Sequence, residues 1–393
     1  MERVGSPAVS RDGRWVVVPV TEPAYDEKKE VADLWIVPAD GSAKPRRITN
    51  SPLAARSPVW SPDGQSILYQ APSYKGAADA EANKKIAAER KDARSKVRAY
   101  DGFPIRRWDR WLDDTETHLF VVPSGGGAAR DLLAGTQLVS QPGFAGATGE
   151  GSGDSLEPTW APDGRSIVFV ATTNRETAAY APTSTGLFEL AASGGEPRPL
   201  TTGHTSYAHP AFTPDGKSVC FRAGDEWGKI YALDRLACAP WPWSGQVTTV
   251  TPRFDRSVAE FAIAPDSRTL YLTAEDSGYV SLYSVPARGG NVTPVYGREL
   301  MMGTPFWENP RPWLDQSPIA YAKDFKTPIL LSVGENDFRV PMNNTLEMYA
   351  ALQRMRVPTR LLVWPDENHW ILKGENSRVF YREVRDWMAR WLK

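Results

Sequence analysis

Histidine and cysteine are scarce in this chain, with four His and two Cys among 393 residues. Two cysteines exclude a disulfide framework. Four scattered histidines argue against a histidine-built metal centre, and no cofactor is expected. Charge of one sign is also lacking: 46 Lys and Arg face 47 Asp and Glu, a net charge of -1. No basic footprint for nucleic acid is present. No apolar run approaches the ~18 residues of a membrane helix. The first residues, MERVGSPAVSRDGRW, have no apolar leader stretch, so a cytoplasmic protein is the default expectation. What is abundant is punctuation and indole: 31 Gly, 33 Pro and 15 Trp. That mixture suits short strands with frequent turns. The length predicts two domains, or one repeat domain and a smaller one.

A repeat organises the first three quarters. Its copies are SPAVSRDGRWVVV, SPVWSPDGQSILY, EPTWAPDGRSIVF, HPAFTPDGKSVCF and EFAIAPDSRTLYL. Their aspartates, Asp12, Asp63, Asp163, Asp215 and Asp266, stand 51, 100, 52 and 51 residues apart. The long interval is close to two periods. Asp-Gly supplies a tight turn, the Gly accepting positive φ, and the alternating apolar residues around it predict a hairpin. Ser267 replaces the glycine in the last copy, which suggests another turn type there. A second motif follows each hairpin, as in LWIVPADG, LFVVPSGGG, LFELAASGG, IYALDRLACAPWPWSG and LYSVPARGG. Four strands about every 50 residues is the arithmetic of propeller blades, with a solenoid of hairpins as the structural alternative. Five blades are expected, at about 7–50, 58–134, 158–201, 210–251 and 261–296. Residues 77–99 read as a charged helical insertion in the second, with its acids and bases mixed as on a solvated face.

After residue 300 the rhythm changes. KTPILLSVGENDFRVP reads as a buried strand, Ile329 to Val333, followed by a polar loop. Asn344 and Glu347 look like a capping box that opens a helix running to about Met355. Leu361 to Trp364 form the next strand. Phe380, Val384, Trp387, Met388 and Trp391 make one apolar stripe on a helix over 377–391. Strand, helix, strand, helix predicts a parallel pair. Asp337 and His369 lie in the loops that leave the two strands, where functional groups collect in open α/β sheets. A carboxylate orienting an imidazole is the base half of a nucleophilic triad, and Trp364 and Trp370 could wall the ring from water. The competing reading of His369 is an ordinary loop histidine. Structural roles are expected for His118, His204 and His209. Cys220 falls in a strand and reads as core, whereas Cys238 lies in a Trp/Pro-rich loop and gives no reading. Gly153-Asp154-Ser155-Leu156 spells an esterase tetrapeptide, but in a Gly-rich loop it carries little weight.

The Asp-Gly hairpins, DLWIVPADG, SPIAYAKDFKTPILLSVGENDFRVP and PDENHWILKGENSRVFYREVRDWMARWL together resemble the prolyl-oligopeptidase family of serine peptidases, in its acylaminoacyl-peptidase and dipeptidyl-aminopeptidase branch. The resemblance implies a mainly β fold: a β-propeller over 1–297, then the C-terminal portion of an α/β-hydrolase domain over 300–393. It implies Asp337 as the triad acid, His369 as the base, and Arg339 beside the substrate pocket. Short peptides are the substrates it implies, with an oligomer as a further possibility.

One departure stands out. The family places its nucleophile in Gly-x-Ser-x-Gly at a strand-to-helix elbow, and no such pentapeptide occurs in this chain. Between the propeller and Asp337 only Ser317 and Ser332 are available, and neither resembles an elbow. The resemblance also implies seven blades and eight hydrolase strands, against five blades and two strands here. An internal deletion near 296–300 accounts for both, and predicts a chain without a nucleophile, inactive as a peptidase. The alternative is a non-catalytic propeller that binds partners.

Overall fold

The computed structural model describes residues 3–22, 31–51, 53–95, 97, 100, 104–107, 110–112, 115–148, 154–225, 232–276, 279–295, 311–315, 317–337 and 342–392. The architecture is mainly β, a series of propeller-type sheets followed by a small α/β unit. The first sheet is built on Trp15–Glu22 and Val31–Pro38, with the short strands Arg3–Val4, Ala8–Val9 and Arg46–Arg47. Arg56–Trp60, Ser66–Tyr74, Thr115–Pro123 and Arg130–Asp131 form the second sheet. The third comprises Thr159–Trp160, Ser166–Ala171, Gly186–Ala191 and Arg198–Pro199. Ser206–Phe212, Ser218–Gly224, Arg235–Pro240 and Thr248–Thr249 make the fourth. The fifth has Val258–Ile263, Thr269–Asp276, Tyr279–Pro286 and Thr293–Pro294. Every pairing within these sheets is antiparallel.

The Asp-Gly turns explain the hairpins. Gly13, Gly64, Gly164 and Gly216 have φ of 71°, 71°, 69° and 72°, a region that costs other residues about 1–2 kcal/mol. Ser267 adopts the same turn at φ 58°, with its N–H donating to the Ala264 carbonyl at 2.9 Å as Gly64 does to Ser61. The different turn expected there does not form; the register of the hairpin overrides the residue preference. In the second sheet Ser61 Oγ donates to Asp63 at 2.6 Å, and Asp63 accepts from Gln65 N–H at 3.0 Å.

Neighbouring sheets pack through equivalent positions. The carbonyls of Leu34, Leu119, Leu187, Leu236 and Leu282 accept from the next short strand at 2.7–2.8 Å, which aligns the five repeats. The first four leucines are fully buried against the sheet that follows each of them. The residue after each leucine points to the preceding sheet: Phe120, Phe188, Ala237 and Tyr283 are all buried there. Polar contacts repeat as well. Trp60 Nε1 donates to Ala8 O at 3.0 Å, and Trp160 Nε1 to Val59 O at 3.4 Å. Arg46 donates to the Ser124 and Gly125 carbonyls, and Arg130 to those of Ala192 and Ser193. Among the described residues, apolar clusters join sheets one to two, two to three, three to four and four to five, and none joins five to one.

Cys238 is not in a loop. It lies in Arg235–Pro240 and is bonded to Cys220 on the neighbouring strand. Both cysteines are therefore in a single cross-strand disulfide, which the spacing of 18 residues did not announce. Within 77–99 the helix spans Ala80–Asp92, capped where Asp79 accepts from Ala82 N–H at 2.8 Å.

In the C-terminal unit, Ile329–Gly334 pairs in parallel with Thr359–Trp364. Met342–Arg354 connects them, so the helix begins before Asn344 and Asn344 is not its cap. The last helix, Gly374–Trp391, starts three residues earlier than its apolar stripe indicated. The strand Ile329–Val333 was expected to be buried. Only Val333 is; Ile329, Leu330 and Leu331 are half-buried, because the two-stranded sheet has no further strand beside it among the described residues. Arg3 ties this unit to the first sheet by donating to the Leu372 carbonyl and to Ser377 Oγ.

Candidate active site

Asp337 and His369 are brought together by two loops that grip each other. Glu335 N–H donates to Trp364 O at 2.9 Å and Asn336 N–H to Glu367 O at 3.0 Å. Asn336 Nδ2 reaches Pro365 O at 3.2 Å. The approach is close enough that a Cβ on Gly334 would lie 2.2 Å from Asn368 O, so the strand must end in glycine. Glu367 is buried and braces the segment that leads into the last helix, accepting from Leu372 and Lys373 N–H at 3.1 and 2.9 Å and from Asn376 Nδ2 at 2.8 Å. Beside it, the Lys373 ammonium at 2.7 Å holds the Asp366 carboxyl below its ordinary range. Gly334, Asn336 and Glu367 were not singled out from sequence. Glycine at a strand end beside a polar loop was the available signal.

Within this frame His369 Nδ1 lies 2.9 Å from Asp337 Oδ2. The carboxylate is buried and the imidazole side chain is 38% exposed. A proton on Nδ1, donated to Asp337, would leave Nε2 free to accept another. Trp370 touches the ring edge-on at 5.1 Å and is itself exposed. Trp364 does not wall the imidazole. It is buried against Phe380, with Nε1 donating to Ser332 Oγ at 2.9 Å. That bond accounts for Ser332, and Ser317 precedes the short helix Pro318–Asp324. No hydroxyl among the described residues hydrogen-bonds His369. Arg339, and the 296–300 junction, lie outside the described residues.

A carboxylate–imidazole pair alone does not mark a site here. His118 Nδ1 lies 2.8 Å from Asp131 Oδ2, with both side chains about as dry as the core, at 5% and 4% exposure. Asp131 also accepts from Leu133 and Ala134 N–H, so that pair ties two neighbouring strands of the second sheet to the turn that follows them. His209 and Glu157 interact across sheets three and four, Glu157 accepting from His209 N–H at 2.6 Å. Exposure separates His369 from His118 but not from His209, whose side chain is 35% exposed; what sets the His369 pair apart is its place on the loops that leave two parallel strands. Ser155 hydrogen-bonds Gln70 and Glu157 N–H and no histidine. A cavity of about 320 Å³ between sheets two and three is lined by Arg130, Asp131 and Glu196, far in sequence from the dyad. Glu196 already accepts from Gln137 and Leu138 N–H beside it.

Comparison with known proteins bears on the same loops. Residues 289–393 match the prolyl oligopeptidase family. Over that C-terminal segment the chain is similar to these serine peptidases. Dipeptidyl-peptidase 5 of Porphyromonas gingivalis is 38% identical over 96 residues, 23% of this chain and 14% of that protein. Probable dipeptidyl-peptidase 5 of Aspergillus terreus is 40% identical over 89 residues, 22% of this chain and 12% of that protein. The matched segment therefore spans only about a seventh of these curated relatives. An acylaminoacyl peptidase solved with Z-Gly-Gly-Phe-chloromethyl ketone superposes with a TM-score of 0.51, at 12% identity, over 99% of this chain and 89% of that one. The Pyrococcus horikoshii acylaminoacyl peptidase gives 0.50 at 12% identity, over 99% and 88%. These structural likenesses concern the fold, propeller sheets followed by the C-terminal portion of an α/β-hydrolase domain. No helix among the described residues is long and apolar enough to cross a membrane.

Proposed function

We propose that the chain is an incomplete peptidase of the acylaminoacyl/dipeptidyl type. Asp337 and His369 are the acid and base of a triad, and the serine is missing. The observation that carries this reading is an exposed imidazole held 2.9 Å from a buried carboxylate, in a chain without Gly-x-Ser-x-Gly. In the intact form, His369 takes the proton of a serine hydroxyl as it attacks the peptide carbonyl, then returns it to the leaving amine. Asp337 holds the tautomer and stabilises the imidazolium. Without an activated hydroxyl and an oxyanion hole the covalent route is closed.

The reading includes the division of the chain at 297/300, a deletion near 296–300, Arg339 beside the pocket, and short peptides as substrates of the intact form. A cytoplasmic location belongs to it as well, and the Cys220–Cys238 disulfide weighs against that point, since cytosolic reductants keep thiols open. A fluorophosphonate probe tests the central claim: the purified chain is expected to remain unlabelled. Stoichiometric labelling would overturn it. Sequencing the gene across codons 290–305 tests the deletion, and recovery of an intervening coding segment that restores the elbow makes the protein an ordinary serine peptidase.

A further inference from the structure

The four inter-sheet packings use one set of positions, and the two ends of the series leave the complementary halves of that set unused. On the side facing the following sheet, Val17, Leu68, Val168 and Cys220 are fully buried. Their equivalent in the fifth sheet, Tyr271, is 39% exposed. Leu34, Leu119, Leu187 and Leu236 are likewise buried, whereas Leu282 is half-buried. Val280 and Ala262 are exposed on the same face, which also carries the exposed Glu260 and Glu275. On the side facing the preceding sheet, Tyr69, Phe169, Phe221 and Leu272 are buried, and their equivalent Val18 is only half-buried. Trp35, equivalent to Phe120 and Phe188, is half-buried, and its Nε1 is shut off from solvent with no acceptor among the described residues.

We propose that these faces bind a second copy of this chain, head to tail, with the fifth sheet of one copy on the first sheet of the next. The occupant follows from the repeat. A fifth-sheet face is what the first sheet lacks in front of it, and a first-sheet face is what the fifth lacks behind it. Stacking them continues the packing that already joins each sheet to its neighbour, with Glu260 and Glu275 left at the margin of the contact. The contact is heterologous: it closes into a ring or extends into a series.

Light scattering and sedimentation on the full chain test this. At about 50 µM, well above a micromolar Kd, wild type is expected to show a mass of two copies or more that falls on dilution. Tyr271→Lys removes the fifth-sheet face and Val18→Lys the first-sheet face, and far-UV circular dichroism checks that each still folds. Each substitution alone is expected to weaken association at least ~10-fold. Their mixture restores a dimer and nothing larger, because each copy keeps one good face. A folded wild type that stays monomeric overturns the proposal. So does association that survives both substitutions in one chain, which would assign it elsewhere, for example to the free edges of Ile329–Gly334 and Thr359–Trp364. Binding of an unrelated protein by a monomeric chain likewise refutes it.

Discussion

Leu236 and Leu282 occupy the same position in successive repeats, and they should respond very differently to truncation. Leu236 is fully buried between sheets four and five, beside Val250, Val258 and Leu272. Leu236→Ala removes its transfer free energy and leaves a cavity, a cost of about 3 kcal/mol within the usual range of 2–5. Leu282 is half-buried on the terminal face. Its removal forfeits part of the transfer term and opens no closed cavity, so Leu282→Ala should cost about 1 kcal/mol or less. Urea unfolding followed by tryptophan fluorescence reads the difference. Taking a slope of ~3 kcal/mol/M, the midpoint moves by ~1 M for Leu236→Ala and by ~0.3 M or less for Leu282→Ala. Repeat arrays unfold sheet by sheet when cooperativity fails, so the transition compared should be the one that reports sheets four and five. The measurement belongs at high dilution, where copies are apart. Equal shifts for the two leucines would refute the reasoning that the series ends at sheet five with its outer face uncovered.

Three further outcomes are expected. Gly64 has φ 71° and open space around its would-be Cβ; Gly64→Ala therefore meets only backbone strain and should cost about 1–2 kcal/mol in the same denaturation assay. Burial raises the Glu116 carboxyl above its ordinary value, and the Lys75 ammonium at 3.0 Å opposes this only in part. The native state thus holds that proton more tightly than the unfolded chain, and the contribution falls as pH rises from the ordinary carboxylate value through the raised one. The midpoint of Glu116→Gln relative to wild type should match near pH 4 and climb toward neutrality; a gap that narrows with rising pH contradicts the burial argument. Thiol titration of the unfolded, unreduced chain should find no free sulfhydryl, since Cys220 and Cys238 are joined. Two reactive thiols in that experiment would contradict the cross-strand bond.

The reading of His369 depends on contrast within the molecule. Carboxylates stand beside His118, His209 and His369, namely Asp131, Glu157 and Asp337. A buried pair such as His118–Asp131 has no room for a reactant. His209 is partly exposed, and it stands at φ 51° directly before Pro210, with its backbone N–H held by Glu157 in a contact that fastens two sheets together. Only the His369 pair stands on loops that leave the ends of parallel strands, with its carboxylate buried and its imidazole open.

The amino-acid order determined what is local or periodic. Asp-Gly turns, two-residue alternation and the recurring Leu-aromatic motif carry their own backbone preferences, so five hairpin repeats and a strand–helix–strand–helix tail could be read without coordinates. The placement of Asp337 and His369 in the loops after two apolar strands was legible for the same reason. Tertiary structure alone decided which side of each strand is dry. Leu236 and Leu282, or Cys220 and Tyr271, have the same place in the repeat and opposite surroundings, since burial depends on whether another sheet follows. It also decided the Cys220–Cys238 pairing, the turn at Ser267 and the requirement for glycine at 334. Each of these rests on the distance between segments remote in the chain or on a strand register, and no single stretch of sequence contains it.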